Sequence, residues 1–110
     1  MKTRSVHEPT FLILTSLAAR SRHGYGIISD VRELSGGRVH LRAGTLYTAL
    51  DRLRADALIE IEREEIVDSR LRRYYRLTPA GRELLAAEAA RLESNSRAAL
   101  TRLAVTGDFA

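Results

Sequence analysis

The sequence predicts a mainly α-helical domain of the α+β class, with three helices, a two-stranded hairpin and one long last helix. Apolar residues recur at helical spacing from residue 11 and again from residue 46, and apolar and charged residues alternate over residues 58–62 and 72–77. Thr78-Pro79 then opens a helical stretch that continues to about Ala104. With 110 residues, 45% of them hydrophobic, the chain is expected to be one domain with a modest core.

The first helix is predicted to begin near Pro9, which suits an initial helical turn. Its apolar residues at helical spacing are Phe11, Leu14, Leu17 and Ala18. Residues 20–26 are polar and contain two glycines, so they predict a turn. A second helix is predicted over about Tyr25–Leu34, ended by Gly36-Gly37, with residues 39–41 forming a very short strand. Its inward residues are expected to be Ile27, Ile28, Val31 and Leu34.

The third helix separates two faces most clearly. Its buried stripe is predicted to be Leu46, Leu50, Leu53 and Ala57, spaced by four, three and four residues. The opposite side carries Thr45, Thr48, Arg52 and Ala55, with Tyr47 and Arg54 on the flank. Little bulk, hydrogen-bonding groups and positive charge suit a helix that enters a DNA major groove. The solvated face of an ordinary amphipathic helix has the same composition, so the third helix alone does not predict DNA binding.

The hairpin is predicted from an acidic strand over residues 58–62 and a basic strand over residues 72–77. Residues 63–71 are expected to be a polar loop without glycine or proline. Four arginines cluster near the second strand: Arg70, Arg72, Arg73 and Arg76. We expect cross-strand pairing of carboxylates with Arg72 and Arg76, which would absorb part of this positive charge.

The last helix is predicted to start with Thr78 as its N-cap and Pro79 at its first position. Such a helix of about 26 residues spans roughly 39 Å, which a domain this small cannot cover. Its expected dimer seam, at alternating spacings of four and three, is Leu85, Ala89, Leu92, Ser96, Ala99 and Leu103. Either a partner subunit buries the helix or its far end frays in solvent, and the seam favours a dimer. The expected division is 1–78 for the first domain, 79–106 for the dimerisation helix and 107–110 for a tail.

Composition limits the classes of function. The net charge of +4 favours an anionic partner, and the excess lies in residues 1–79, with 14 basic and 10 acidic side chains. The absence of cysteine excludes disulfides and thiolate metal sites. Three histidines without ligand spacing, no nucleophile elbow and no glycine-rich phosphate loop predict no catalytic residue, metal or cofactor. The apolar run over residues 11–14 is too short to span a membrane, so a cytoplasmic protein is expected.

Four segments resemble the PadR family of winged-helix transcriptional regulators: HGYGI (23–27), AGTLYTALDRL (43–53), ALIEIE (57–62) and RRYYRLTPAGRELL (72–85). The resemblance covers about residues 9–87, and the single C-terminal helix resembles the short subclass of that family. It implies a winged helix-turn-helix with a two-stranded wing and a C-terminal dimerisation helix. It further implies a homodimer that binds double-stranded DNA at a pseudo-palindromic operator, usually as a repressor and often released by a small effector.

The same resemblance places residues on DNA, with the third helix in the major groove and the wing on phosphate or in an adjacent minor groove. Tyr25 matches a position that contacts the phosphate backbone. The expected DNA-binding residues are Tyr25, Arg42, Thr45, Leu46, Tyr47, Thr48, Arg52, Arg70, Arg72 and Arg73.

This sequence departs from the family pattern in several places. Arg42-Ala43 stands where the family usually has Ser-Pro, and the lost cap is expected to cost about 1 kcal/mol. Arg42 brings a cation toward DNA but opposes the helix dipole unless phosphate is present. Thr48 replaces a frequent proline, and the wing tip lacks glycine. The acidic first strand and the lost cap keep open an alternative, a winged-helix module that binds proteins and no longer binds DNA.

The last helix has no aromatic residue before Phe109, which disfavours a stacked site for flat effectors. An apolar cleft between Phe11 and leucines of the last helix is the remaining expectation for an effector.

Overall fold

The computed structural model describes residues 6–107 and confirms the predicted order of elements. The elements are α1 (Glu8–Ala19), α2 (Gly24–Leu34), α3 (Ala43–Ala55), β1 (Ile59–Val67), β2 (Arg70–Leu77) and α4 (Pro79–Gly107). The two strands form one antiparallel hairpin. Phe109 lies outside the described residues.

One hydrophobic core joins the first three helices to the base of the hairpin. It consists of Ile13, Leu14, Leu17, Ile27, Val31, Leu41, Leu46, Leu50, Leu53, Leu58, Ile59, Tyr75 and Leu77. The stripes predicted for the first and third helices thus supply much of the core, because their helical spacing brings each set to one side. Leu34, the last residue of α2, does not join it and is 47% exposed, contrary to expectation.

Helices α2 and α3 end in the same way. Gly36 and Ala57 follow the respective C-caps with φ angles of +62° and +57°. In both cases the next residue donates its N–H to a carbonyl five residues back, Gly37 to Arg32 at 2.8 Å and Leu58 to Leu53 at 2.9 Å. These are Schellman ends. The expectation that Ala57 extends the buried stripe is wrong, since α3 stops at Ala55 and Leu58 enters the core instead.

The hairpin is longer than predicted. Residues 63–67 and 70–71 are strand, so the expected polar loop over 63–71 is wrong. The turn consists of Asp68 and Ser69, with φ angles of +50° and +64°. Short polar side chains tolerate this left-handed region, so a two-residue turn forms without glycine. The pairing shifts after Ile61, which leaves Glu62 as an extra residue in β1.

The short strand expected over residues 39–41 is absent, because those residues carry no strand pairing. A different segment meets the sheet: Arg22 and Tyr75 exchange backbone hydrogen bonds of 3.1 and 2.9 Å. The segment between α1 and α2 is therefore attached to the hairpin, which holds the start of α2 beside the wing.

Helix α4 begins on the core and then leaves it. Thr78 caps it by accepting the Gly81 N–H at 3.1 Å and donating its hydroxyl to the Ala57 carbonyl at 2.6 Å. Gly81 packs so closely on the Leu58 carbonyl that a Cβ atom there would overlap it. Leu84 and Leu85 are half-buried against the core. From Leu92 to Val105 every side chain is exposed, so about half of this helix has no cover from the described part of its own chain.

Glu88 marks the last buried turn of α4. Its side chain is buried, accepts two hydrogen bonds from Arg91 at 2.9 and 2.7 Å, and accepts the Val6 N–H at 3.0 Å. The Arg91 hydrogen bonds, helped by Val6, lower the pKa of Glu88 to about 2. The ionised carboxylate therefore ties the segment before α1 to α4.

Candidate nucleic-acid interface

Two of the clefts that border α3 separate its predicted DNA-binding residues. Thr45, Thr48 and Arg52 line a cleft of about 270 Å³ that also touches the beginning of α1 and Leu84. On the other flank, Tyr47 and Asp51 line an open cleft of about 760 Å³ between α3 and the hairpin. The predicted outward residues of α3 are exposed, but they do not form a single face.

Leu46 is fully buried, with an exposed fraction of 0%. The sequence-based expectation that it contacts DNA is therefore wrong for its side chain, which belongs to the core with Leu50 and Leu53. Its neighbours Thr45 and Tyr47 are exposed because each lies about 100° around the helix from it.

Tyr47 connects α3 to the beginning of α2. A Cβ atom added to Gly24 would overlap the Tyr47 hydroxyl, so glycine is required for this approach. Tyr47 nevertheless keeps 44% of its surface exposed. The hydroxyl end of the ring thus lies against Gly24, and Tyr47 lines the cleft beside the hairpin.

The start of α3 lacks a side-chain cap, as predicted from Arg42-Ala43. Arg42 occupies the N-cap position and its side chain makes no capping hydrogen bond. Gly44 is exposed, and a Cβ atom there would have no neighbour within 4 Å. The first N–H groups of the helix consequently remain accessible at an open, positively polarised end, which favours an anion.

The hairpin neutralises part of its own positive charge. Arg76 binds Glu60 at 2.8 Å, which confirms one of the two expected ion pairs. Arg73 binds Glu64 at 2.6 Å, and this contact raises the pKa of Arg73. The other expected pair, from Arg72, does not form among residues 6–107: Arg72 lies opposite Glu65, whose carboxylate instead accepts the Tyr74 hydroxyl at 2.7 Å.

Two of the predicted wing arginines remain available. Within residues 6–107, neither Arg70 nor Arg72 forms an ion pair or a side-chain hydrogen bond. Both line the larger cleft, opposite Tyr47 and Asp51. The cationic wall of this cleft is therefore formed by Arg70 and Arg72, whereas Arg73 contributes a charge already balanced by Glu64.

The beginning of α2 forms the third wall of that cleft. His23 caps the helix by accepting the Gly26 N–H on Nδ1 at 3.3 Å, and its ring meets Tyr74 edge-on at 5.4 Å. Burial lowers the pKa of His23, and nearby Arg72 lowers it further. A neutral ring is the form that accepts this hydrogen bond, so the cap is maintained. Tyr25, on the first turn, is exposed and lines the cleft.

A family model and a curated relative both identify the chain. The model of the transcriptional regulator PadR-like family matches residues 13–87. A transcriptional regulator of Mycobacterium tuberculosis, Rv3488, is 40% identical over 88 residues, which cover 80% of this chain and 78% of that protein. This chain belongs to the PadR-like family of transcriptional regulators.

Solved structures of PadR-like proteins share the fold. A PadR family regulator from Clostridium difficile matches with a TM-score of 0.73 and 27% identity, over 88% of this chain and 99% of that one. Bacillus subtilis PadR, in complex with operator DNA, matches with a TM-score of 0.63 and 25% identity, over 71% of this chain and 44% of that one. The chain is thus a winged helix whose β1–β2 hairpin is the wing.

Membership of a family of transcriptional regulators agrees with the expectation that the chain is not an enzyme. Within the described part of the chain, no three His, Asp or Glu side chains gather as a metal site would require. None of the helices described is long and apolar enough to cross a membrane.

Sequence reasoning missed Asp51, an acidic residue on the exposed side of α3 that lines the larger cleft. The sequence did indicate that Asp51 is exposed, because it lies opposite the buried stripe on a helical wheel. It also missed the role of the segment before α1: Val6, His7 and Thr10 form a wall beside Thr45, Thr48 and Arg52. No periodicity could reveal that wall, since it depends on a contact between Val6 and Glu88, 82 residues apart.

The expected effector cleft is only partly recovered. The cleft of about 270 Å³ includes Leu84 of α4, and its α1 side is formed by Thr10, with Phe11 outside its walls.

Proposed function

We propose that this PadR-like chain binds duplex DNA as a homodimer and represses transcription from a pseudo-palindromic operator. The observation that carries the proposal is the larger of these two clefts, which places an exposed side of α3 opposite Arg70 and Arg72 of the wing, two arginines that form no ion pair with any described residue. A helix for the major groove and cations for phosphate thus border one opening. The operator complex of Bacillus subtilis PadR supports the same use of the fold.

In this proposal α3 enters the major groove from its uncapped end. Tyr47 on one flank of the helix and Thr45, Thr48 and Arg52 on the other reach base edges on either side of it. Arg42, with the N–H groups of the first turn, meets a phosphate. Tyr25, on the wall of the cleft, donates its hydroxyl to the backbone between the groove and the wing. The negative charge of Asp51 is repelled by phosphate. Asp51 therefore weakens binding to DNA sequences in which no base edge donates a hydrogen bond to it.

We expect the three wing arginines to contribute unequally to DNA affinity. Arg70 and Arg72 can neutralise phosphate directly, whereas Arg73 must first leave Glu64. Because each neutralised phosphate contributes about 0.9 to the slope of log affinity against log salt, removing Arg70 or Arg72 should flatten that slope more than removing Arg73.

The exposed part of α4 supports a dimer. Leu92, Leu100 and Leu103 are exposed large apolar side chains on a helix that its own chain does not cover. Pairing two copies through this helix gives a two-fold arrangement, and a two-fold protein reads a pseudo-palindromic site.

Release by a small effector is also part of the proposal. The cleft of about 270 Å³ shares one wall with Thr45, Thr48 and Arg52, so a molecule that fills it occupies part of the surface offered to DNA. Such a molecule must be small, since drug-sized ligands occupy roughly 300–1,000 Å³.

The test is an electrophoretic mobility shift of the purified protein on the promoter region of its own gene, titrated with salt. We expect a discrete complex that weakens steeply as salt rises, and weaker binding to unrelated duplexes of equal length. Equal affinity for all duplexes would contradict sequence-specific regulation.

Three variants refine this test. Tyr47→Ala should weaken binding and change the preferred sequence, whereas Arg72→Ala should weaken binding to all sequences alike. Glu64→Gln should release Arg73 and strengthen binding about threefold at low salt. If Glu64→Gln binds no better than the unaltered protein, the ion pair does not limit the use of Arg73.

A second candidate function is a winged-helix module that binds protein partners. The ion pairs of Arg73 and Arg76 with wing carboxylates favour it, since they reduce the positive charge offered to DNA. Retention of specific proteins together with no retention of duplex DNA would support this alternative over the first.

A further inference from the structure

Asp51 is an exposed carboxylate on the side of α3 that faces the wing. It lines the larger cleft together with Tyr47, which lies one turn earlier in the same helix. It also borders a further cleft, lined by Arg54 and Glu60, so its side chain is open to both. Asp51 lies well beyond the first turn of α3, where the helix dipole would favour a negative charge. The stability of the helix therefore does not account for an acidic residue at this position.

Asp51 differs from carboxylates of the wing in having no partner. Glu60 and Glu64 are each bound by an arginine of β2. Among residues 6–107, Asp51 forms neither an ion pair nor a side-chain hydrogen bond, although Arg70 and Arg72 line the same cleft. An unpaired negative charge lowers the affinity of this surface for phosphate. The carboxylate therefore favours a partner that donates a hydrogen bond to it.

The major-groove edges of the bases differ in what they offer a carboxylate. An ionised carboxylate only accepts hydrogen bonds. Guanine presents acceptors at N7 and O6, and thymine presents an acceptor and a methyl group, so neither base can donate to it. Adenine presents an amino group beside the N7 acceptor, whereas cytosine presents its N4 amino group without an acceptor beside it. Cytosine is consequently the base that suits Asp51 best.

We infer that Asp51 selects cytosine in each half-site of the operator, by accepting a hydrogen bond from the N4 amino group in the major groove. This inference rests on the proposed function and names a base that α3 reads. It also gives the unpaired charge a role in specificity. Repulsion by phosphate weakens binding to other sequences, and the hydrogen bond from cytosine offsets that loss at the operator.

The first test measures which base is preferred at each position of the site. Duplexes carrying the promoter site, with each base pair of one half-site changed in turn to the other three, compete for the protein in fluorescence anisotropy. The unaltered protein should prefer cytosine to guanine or thymine about tenfold at one position. Asp51→Asn should reduce that preference to less than about threefold, because an amide both donates and accepts, and should leave the other positions unchanged. Glu83→Gln removes an exposed carboxylate on α4 and is the matched control, which should keep the preference.

The second test removes the donor from the DNA. A cytosine analogue with hydrogen in place of the N4 amino group is placed at the preferred position. The analogue weakens base pairing equally for every protein tested, so the comparison between proteins reports the contact. Kd should rise about tenfold more for the unaltered protein than for Asp51→Ala, which has no acceptor to lose. A thermal melt verifies that Asp51→Ala, at an exposed position, keeps the fold.

Two results would overturn this inference while leaving DNA binding intact. In the first, Asp51→Asn strengthens binding to all duplexes alike and leaves every base preference unchanged, so that Asp51 only repels phosphate. In the second, the analogue raises Kd equally for the unaltered protein and for Asp51→Ala. Absence of any complex with the unaltered protein would instead overturn the proposed function itself.

Discussion

Helices α3 and α4 carry similar apolar stripes, but the stripe of α3 is buried and most of the stripe of α4 is exposed. In α3, Leu46 and Leu50 are fully buried beneath the first two helices and the hairpin. In α4, Leu100 and Leu103 are 65% and 66% exposed. The periodicity is that of an amphipathic helix in both cases. An apolar stripe therefore predicts only that one face of a helix packs against something. Whether that packing is within the chain depends on the other elements of the fold.

The change between the two situations occurs within α4 itself. Leu84 and Leu85 still pack on the core, Glu88 is buried, and from Leu92 to Val105 the side chains are exposed. Leu85, expected in the dimer seam, thus contacts its own core as well. Leu100, which the seam omitted, is among the most exposed apolar residues of the helix. The surface that we propose for a second copy therefore centres on the last three turns described.

The largest effect is expected from truncating the internal stripe. Leu50→Ala should lower the free energy of unfolding by about 2–5 kcal/mol, because it leaves a cavity among fully buried side chains. Leu34→Ala, at an exposed position, should change it by less than about 0.5 kcal/mol. Urea unfolding followed by circular dichroism measures both, and similar losses in the two variants would contradict the placement of the core.

The next effect concerns the external stripe. Leu100→Glu/Leu103→Glu should convert the proposed dimer to a monomer at micromolar concentration, since it places like charges on the exposed surface where we propose that two copies meet. Sedimentation equilibrium reports the mass. Leu34→Glu adds the same charge at a comparably exposed leucine outside α4 and should leave the mass unchanged. A double variant that retains the mass of the unaltered protein would show that α4 is not the interface.

A smaller, pH-dependent effect is expected where α4 leaves the core. The Arg91 hydrogen bonds hold the pKa of Glu88 at about 2, below its ordinary value of 4.5. Because the folded-state pKa is lowered, the stabilisation is complete above about pH 4.5 and is lost as pH falls toward 2. In Glu88→Gln this part of the pH dependence should disappear.

Urea unfolding at a series of pH values checks the Glu88 prediction, with Glu93→Gln, from an exposed pair with Arg97, as the control. The gap between the unaltered protein and Glu88→Gln should narrow as pH falls. A gap that stays constant with pH would mean that the charge of Glu88 contributes nothing to stability.

The smallest effect tests how α3 ends. Ala57 has a φ angle of +57°, where an L side chain is strained, so Ala57→Gly should stabilise the fold by at most about 1 kcal/mol. Gly36 occupies the same position after α2, with a φ angle of +62° and no neighbour within 4 Å of an added Cβ. Gly36→Ala should therefore destabilise by about 1 kcal/mol through backbone strain alone. Thermal melts compare the reciprocal pair, and equal signs would refute the explanation.

Local signals predicted much of this fold. Each confirmed feature depends on residues that are close in the sequence. These features are the helical spacing of Leu46, Leu50 and Leu53, the Thr78 cap, and the glycines that end α2. The hairpin turn was missed because Asp68 and Ser69 adopt left-handed backbone that sequence patterns assign to glycine. One extra residue at Glu62 then changed which arginine meets which carboxylate.

The candidate site was predicted by residue type better than by arrangement. Exposure of Thr45, Thr48 and Arg52 follows from the helical wheel, as does that of Tyr47. Their division between two clefts does not, because it depends on the segment before α1 and on the wing, which distant contacts position. Leu46 was carried over from a family motif, and the same wheel assigns it to the core.

The most direct test of the central proposal is the stoichiometry of the DNA complex. Sedimentation velocity of a fluorescently labelled duplex from the chain's own promoter, with increasing protein, counts the copies bound. We predict two copies per duplex that bind together, with an affinity that falls steeply with salt and is lost in Leu100→Glu/Leu103→Glu. A complex with a single copy, or binding that the double variant leaves unchanged, would contradict the proposal that two α4 helices join two DNA-reading α3 helices.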